Sequence, residues 1–156
     1  MIQGRIIGLF FSLILLTACD SEMVYDHYIS TDKGMWKWND VAVFEIDVSD
    51  TTSLNNIYLQ VRHSTDYPMS NLYMFVNVKG PGGQFHRDTV NMILAAPDGQ
   101  WNGRGTGQLR ELRLLYRSQT RFGASGIYNF FIEQAMRKEE LPVTDIGIRV
   151  ERIIPE

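Results

Sequence analysis

Ala42-Val43-Phe44-Glu45-Ile46-Asp47-Val48 decides how this chain folds. Ala42, Phe44, Ile46 and Val48 occupy one phase of a two-residue period, and Val43, Glu45 and Asp47 occupy the other. Successive side chains of a strand point to opposite faces, so an apolar phase against a largely polar one predicts a half-buried β-strand. The same period recurs along the chain. Ile57, Leu59 and Val61 alternate with Tyr58, Gln60 and Arg62, and Val90, Met92 and Leu94 set the inward face of a run from about Phe85 to Ala95. Tyr128, Phe130 and Ile132 face away from Asn129 and Glu133, and Ile146, Ile148 and Val150 oppose Arg149 and Glu151. Leu72, Met74, Val76 and Val78 share their run with Tyr73 and Phe75, so both of its faces read as partly covered, as in a central strand.

Turn formers separate these runs: Asp50 to Ser53, Asp66-Tyr67-Pro68, Gly80-Pro81-Gly82-Gly83, Pro97-Asp98-Gly99 and Gly123-Ala124-Ser125-Gly126. The reading is all-β, an antiparallel two-sheet β-sandwich or jelly roll of about eight strands. One stretch, Gln108 to Tyr116, fits two periods: Leu109, Leu112 and Tyr116 a helical stripe, Leu112, Leu114 and Tyr116 a strand. A strand from about Glu111 is favoured, because a lone helical turn sits poorly among antiparallel neighbours. A short helical turn near Glu133 to Glu140 is a further expectation. In the block Gly126 to Arg137, a core hairpin is expected, with Glu133 and Arg137 pairing with Arg149 and Glu151 on the next strand.

Ahead of the strands, Arg5 leads into a mostly apolar run from Ile6 to Leu16. Such a run has the length of a signal-peptide core, about half of a membrane-spanning helix. Leu16-Thr17-Ala18-Cys19 resembles the lipobox of bacterial lipoproteins, in which the cysteine sulfur takes a diacylglycerol, the preceding peptide is removed, and the new amine receives an acyl chain such as palmitate. On this reading residues 1–18 are a removed signal peptide, 19–24 a lipidated tether and 25–156 a single domain. Asp20-Ser21-Glu22 reads equally as a solvated tether or as a sorting signal of the kind that favours surface display in Bacteroidetes-type bacteria. Loss of residues 1–18 removes one charge, Arg5, so 14 basic residues face 18 acidic ones, a net charge of −4. That balance, with no basic run, argues against nucleic acid. Cys19 is the sole cysteine, so the fold has no disulfide and the core must hold it alone.

No arrangement in the sequence calls for an enzyme. His27, His63 and His86 are too far apart for a zinc site, although strand pairing that joined His63, His86 and Asp88 in one pocket would reopen a hydrolase reading. Gly123-Ala124-Ser125-Gly126 lacks the nucleophile-elbow spacing. Gly103-Arg104-Gly105-Thr106-Gly107 has no lysine after it and reads as a flexible loop rather than a phosphate cradle. Carboxylates such as Asp40, Glu45, Asp47, Asp88 and Asp98 show no telling spacing. Neither a metal nor a cofactor is implied. The aromatics give the one candidate binding patch. Trp36, Trp38 and Trp101, with Tyr67 and Tyr73, either stack a sugar or a protein partner or plug the ends of the sandwich.

Several short motifs then add up in order. Arg62-His63, Tyr67-Pro68, Asn71-Leu72-Tyr73, Asp88-Thr89, Leu94-Ala95, Asp98-Gly99, Trp101 and Gly103 precede Gly126-Ile127-Tyr128-Asn129-Phe130, Ile132 to Arg137 and Asp145 to Glu151. With the lipobox, this succession resembles the gliding-motility lipoprotein GldH family of Bacteroidetes-type bacteria over nearly the whole mature chain. The resemblance implies an accessory lipoprotein of the cell envelope, anchored in the outer membrane by Cys19, that serves gliding and the linked type IX secretion machinery through contacts with other envelope proteins. It implies no catalytic residue. Because relatives occur in bacteria that do not glide, it also admits a more general envelope role. A glycan-binding module on the same anchor is the alternative.

Overall fold

The computed structural model describes residues 22–154, so the expected signal peptide, the lipobox-like stretch and Cys19 lie outside the described residues. Ten strands follow one another: β1 Met23–Ser30, β2 Trp36–Lys37, β3 Ala42–Val48, β4 Asn55–Ser64, β5 Asn71–Lys79, β6 Phe85–Ile93, β7 Leu109–Thr120, β8 Gly126–Gln134, β9 Glu140–Leu141 and β10 Val143–Arg152. β3 alternates buried and exposed at every position, as its sequence requires. Eight of the strands are long. The other two, β2 and β9, are two-residue pieces that pair only with each other.

The eight long strands form two four-stranded antiparallel sheets, one in the order β1-β10-β4-β7 and the other β3-β8-β5-β6. Among long strands, the first thus pairs with the last, the second with the seventh, the third with the sixth and the fourth with the fifth. That nested pairing is a hairpin wound around itself, so of the two architectures expected the jelly roll is the one formed. The core lies between the sheets. Ile57, Leu59 and Val61 of β4 and Ile146, Ile148 and Val150 of β10 meet Phe44, Ile46, Leu72, Met74, Val76, Phe130 and Ile132 from the second sheet. Each such side chain, fully removed from water, contributes roughly 1.5–3 kcal/mol.

Both open edges of the sandwich are closed by side chains. On one, the His27 ring of β1 lies edge-on to Phe44 of β3, with centroids 6.4 Å apart. On the other, Asp88 of β6 accepts hydrogen bonds from Tyr116 and, at 2.6 Å, from Arg117, both on β7. Partial burial opposes ionisation of Asp88, but the Tyr116 hydroxyl and the Arg117 and His86 charges outweigh it and hold the carboxyl below its usual value. Burial first, and then the bond to Asp88, pushes Tyr116 up to about 12.

Two sequence expectations need correction. Residues 133–140 contain no helical turn: β8 runs on to Gln134, and the following loop turns through a left-handed Arg137, with φ 56°. β8 pairs with β3 and β5 and lies in a different sheet from β10, so Glu133 and Arg137 do not meet Arg149 and Glu151. Glu133 instead accepts from Asn77 Nδ2 at 3.1 Å, while Arg149 pairs with Asp26 and Glu151. The ambiguous stretch is a strand, as favoured, and it begins two residues earlier, at Leu109.

Candidate functional site

The two outward sheet faces differ in chemistry. On the β1-β10-β4-β7 sheet, cross-strand rows place Asp26 beside Arg149 and Tyr58, Tyr28 beside Gly147 and Gln60, and Asp145 beside Arg62 and Glu111. These side chains satisfy one another. Arg149 bonds Asp26 at 2.6 Å and also Glu151, Gln60 donates to Asp26 at 2.7 Å and accepts from Tyr28 at 2.8 Å, and Arg62 bonds Glu111 at 2.7 Å. The Arg62 guanidinium also lies over the Tyr28 ring, 3.9 Å from its centroid. Burial, with Glu111 second, raises Tyr28 to about 12. A Cβ on Gly147 would come within 2.8 Å of that same ring, so glycine lets Tyr28 lie down across the sheet.

The outward face of the β3-β8-β5-β6 sheet carries more exposed apolar side chains among its polar ones, and the Arg87 guanidinium lies over the Phe75 ring, 4.3 Å from its centroid. Val43 of β3 pairs with Phe131 of β8, which pairs with Asn77 of β5, opposite Arg87 of β6. In the next row Glu133 pairs with Phe75, opposite Thr89. Val41, Val43, Tyr73, Phe85, Ile93 and Ile127 stand exposed on or beside this face. A groove of about 610 Å³ opens at one end, with Trp38 and Phe75 as its rings and Glu133, Arg137, Lys138 and Glu139 as its charges. The 135–139 loop is held there by backbone and sulfur contacts to β5, Ala135 N–H to the Tyr73 carbonyl at 2.8 Å and Tyr73 N–H to Met136 Sδ at 3.0 Å.

The five aromatics singled out from the sequence do not form one patch. Trp36 is buried, its indole N–H donating to the Asp40 carbonyl at 2.8 Å, and Tyr67 is buried with its hydroxyl donating to the Asn71 carbonyl at 3.0 Å. Trp101 is half-buried against the His63 ring, 4.9 Å between centroids. These three plug the sandwich. Trp38, 63 % exposed, and Tyr73, 41 % exposed, reach solvent, Trp38 in the groove wall and Tyr73 two residues along β5 from Phe75. Phe75, Phe131 and Val43 stand out on this face only once the strands are paired. The doubled apolar pattern of β5 is the signal, and its outward half is partly covered as expected, with Asn77 buried, Phe75 half-buried and Tyr73 exposed.

The histidines are not assembled either. His63 is wholly buried beside Tyr67 and Trp101, whereas His86 stands on β6 with Asp88 and Arg117. Among the described residues no group of three or more His, Cys, Asp or Glu side chains could hold a metal ion. The glycine-rich loop packs on β7: Arg104 exchanges backbone bonds with Glu111, and a Cβ on Gly103, at φ +88°, would lie 2.2 Å from the Glu111 carbonyl. Those glycines serve close backbone approach rather than a phosphate.

The family model described as GldH lipoprotein matches residues 23–150. The chain belongs to the GldH lipoprotein family. The gliding motility lipoprotein GldH homolog of Christiangramia forsetii is 35% identical over 150 residues, 91% of this chain and 91% of that protein. The gliding motility lipoprotein GldH of Flavobacterium johnsoniae is 32% identical over 152 residues, 92% of this chain and 94% of that protein. Among solved structures, that of infectious bursal disease virus Gx strain aligns with 83% of this chain and 32% of its own at 11% identity and a TM-score of 0.33, a likeness too slight to bear on function. Membership of the GldH family makes this a lipoprotein related to gliding-motility proteins. No helix among its described residues is long and apolar enough to cross a membrane.

Proposed function

We propose that this chain is a non-catalytic accessory component of the gliding and type IX secretion machinery, held in the outer membrane by acylation of Cys19. It works by binding another envelope protein through the outward face of the β3-β8-β5-β6 sheet. The observation that carries this reading is the contrast between the two outward faces. One is dominated by charged and polar side chains paired with one another, and the other leaves Val43, Tyr73, Phe85, Ile93 and Ile127 exposed, Val43 directly beside Phe131. Exposed apolar side chains, together with the half-buried rings of Phe75 and Phe131, suit a protein partner. The test is complementation of a gliding relative that lacks its own GldH. Phe131→Glu and Tyr73→Glu are expected to leave the lipoprotein at its normal level and to abolish spreading. Normal spreading from both variants would refute the reading.

A glycan-binding role is the second reading, and the groove beside Trp38 favours it. An exposed indole near Phe75, with Glu133, Arg137 and Glu139 around it, has the ring-and-carboxylate make-up of a sugar site. Titration with peptidoglycan and polysaccharide fragments, read by tryptophan fluorescence, tests it. Saturable quenching that Trp38→Phe removes supports it, and a flat titration ends it.

A further inference from the structure

We infer that β6 is a pairing edge, and that two copies of this chain join through it into one continuous eight-stranded sheet. This inference does not depend on which partner the outward face binds. β6 is an edge strand, paired with β5 along one side only. Its nine pairs with β5 run without a register shift, and Phe85-His86-Arg87-Asp88-Thr89-Val90-Asn91-Met92-Ile93 contains no proline, glycine or lysine. Such a long regular edge is a template for another strand unless something blunts it. An inward-pointing charge is one common blunting device, but Asp88 is already bound by Tyr116 and Arg117.

The other edges are less open. β1 is irregular between Met23 and Tyr25, and β7 shifts register against β4 and has its free side met at Glu111 by Arg104. β3, paired with itself along its full length, would set Glu45 against Glu45, a like-charge pair that destabilises a sheet.

The backbone of β6 shows which groups are on offer. At its two ends the Gln84 carbonyl accepts from Gly80, and Leu94 N–H donates to Ser70, so even-numbered residues turn their hydrogen-bonding groups toward β5. The odd-numbered residues Arg87, Thr89 and Asn91 turn theirs outward, as the Ile93 carbonyl shows by accepting from Asn102 Nδ2 on that side. Antiparallel pairing of two copies about Thr89 places Thr89 against Thr89 and Arg87 against Asn91, and brings the Phe85 side chain beside that of Ile93, whose carbonyl stays with Asn102. Phe85 and Ile93 are 63 % and 50 % exposed in the single chain, so each contact covers two apolar side chains. Threonine pairs and aromatic–β-branched pairs are among the favourable cross-strand partners, and no like charges meet. On the inward side Asp88 falls opposite Val90 and His86 opposite Met92. The strand is therefore complementary to itself under a two-fold axis, as a closed dimer requires. A β6-to-β3 pairing would instead leave a free edge at each end and grow into a filament.

In-cell disulfide trapping of the full lipoprotein tests this, with only the signal above that of the wild-type chain counted, since Cys19 is its sole cysteine. Directly opposed residues of a hydrogen-bonded antiparallel pair have Cα atoms about 5.5 Å apart, within disulfide reach. Thr89→Cys is expected to shift to twice the mass of one chain under mild oxidation, and Glu45→Cys is not. Arg87→Cys and Asn91→Cys are expected to cross-link when the two variants are co-expressed, and neither when expressed alone. Adding Thr89→Lys to that pair sets two ammonium groups against each other, and the cross-link is expected to be lost. All four positions are exposed, so the fold tolerates these changes. Absence of a doubled species from Thr89→Cys overturns the inference. So does cross-linking of Thr89→Cys to Glu45→Cys chains, which would show edge pairing of the filament type.

Discussion

His63 gives the fold a pH dependence whose sign follows from its surroundings. The side chain is wholly buried, with Nδ1 2.8 Å from the Ser64 carbonyl, so Nδ1–H donates there and Nε2 carries the lone pair. Nε2 is itself buried and without a partner. Burial pushes the imidazole below its ordinary value, the Ser64 bond opposes that shift, and the Arg110 charge adds to it. In the unfolded chain a histidine titrates near ~6.5. Below that pH the unfolded chain takes up a proton that the folded chain refuses, down to the depressed folded value. Stability is therefore complete above about pH 7 and falls as the solution is acidified through ~6.5. One proton limits the slope to about 1.4 kcal/mol per pH unit, and the loss between pH 7.5 and 5.5 to no more than about 1.4 kcal/mol. Urea unfolding of residues 22–154 at pH 7.5, 6.5 and 5.5 measures it. His63→Phe keeps a ring against Trp101 and Tyr67 but has nothing to protonate, so its stability is expected to change less across that range. The carboxyls of Asp50 and Asp88, held low by their partners, titrate below the window in both proteins. An equal acid loss in wild type and variant would refute the reasoning.

Two further outcomes are expected from substitutions. Trp36→Ala empties a position that is 1 % exposed and leaves the Asp40 carbonyl without its donor, so it should cost roughly 3–5 kcal/mol in thermal or urea unfolding, whereas Trp38→Ala should stay within about 0.5 kcal/mol. Cys19→Ser removes the proposed attachment atom, so the protein is expected to leave the membrane pellet and to lose palmitate label in metabolic labelling; persistent label would place the acyl chain elsewhere.

How far the sequence reaches depends on whether a feature is local. Strand identity is local: the strict alternation of Ala42 to Val48 survives unchanged into the structure, and Leu112, Leu114 and Tyr116 carry enough of it to mark β7. Partner choice is not local. Nothing near Glu133 says that β8 lies between β3 and β5, so its expected ion pairs with β10 were drawn across two different sheets. Short elements carry no period at all, which is why the β2–β9 bridge and the 135–139 loop are invisible before the fold is seen. Trp36 and Trp38 show the same limit at the site. Two residues apart, they would share a face in a continuing strand, but β2 stops at Lys37 and the turn after it sends Trp38 to solvent while Trp36 stays in the core. The pairing of His86 with Asp88 is a local strand i, i+2 contact, whereas the distance of His63 from both follows from the winding of the jelly roll.

The account stands on one sheet face being used and the other not. A photo-crosslinking amino acid placed at Phe131 or Tyr73 on the open face, and at Tyr58 or Arg113 on the charge-paired face, tests this in intact cells. The open-face positions are expected to capture one defined envelope protein, and the opposite face only background. Capture of that protein from Tyr58 or Arg113, with none from Phe131 or Tyr73, would contradict the account.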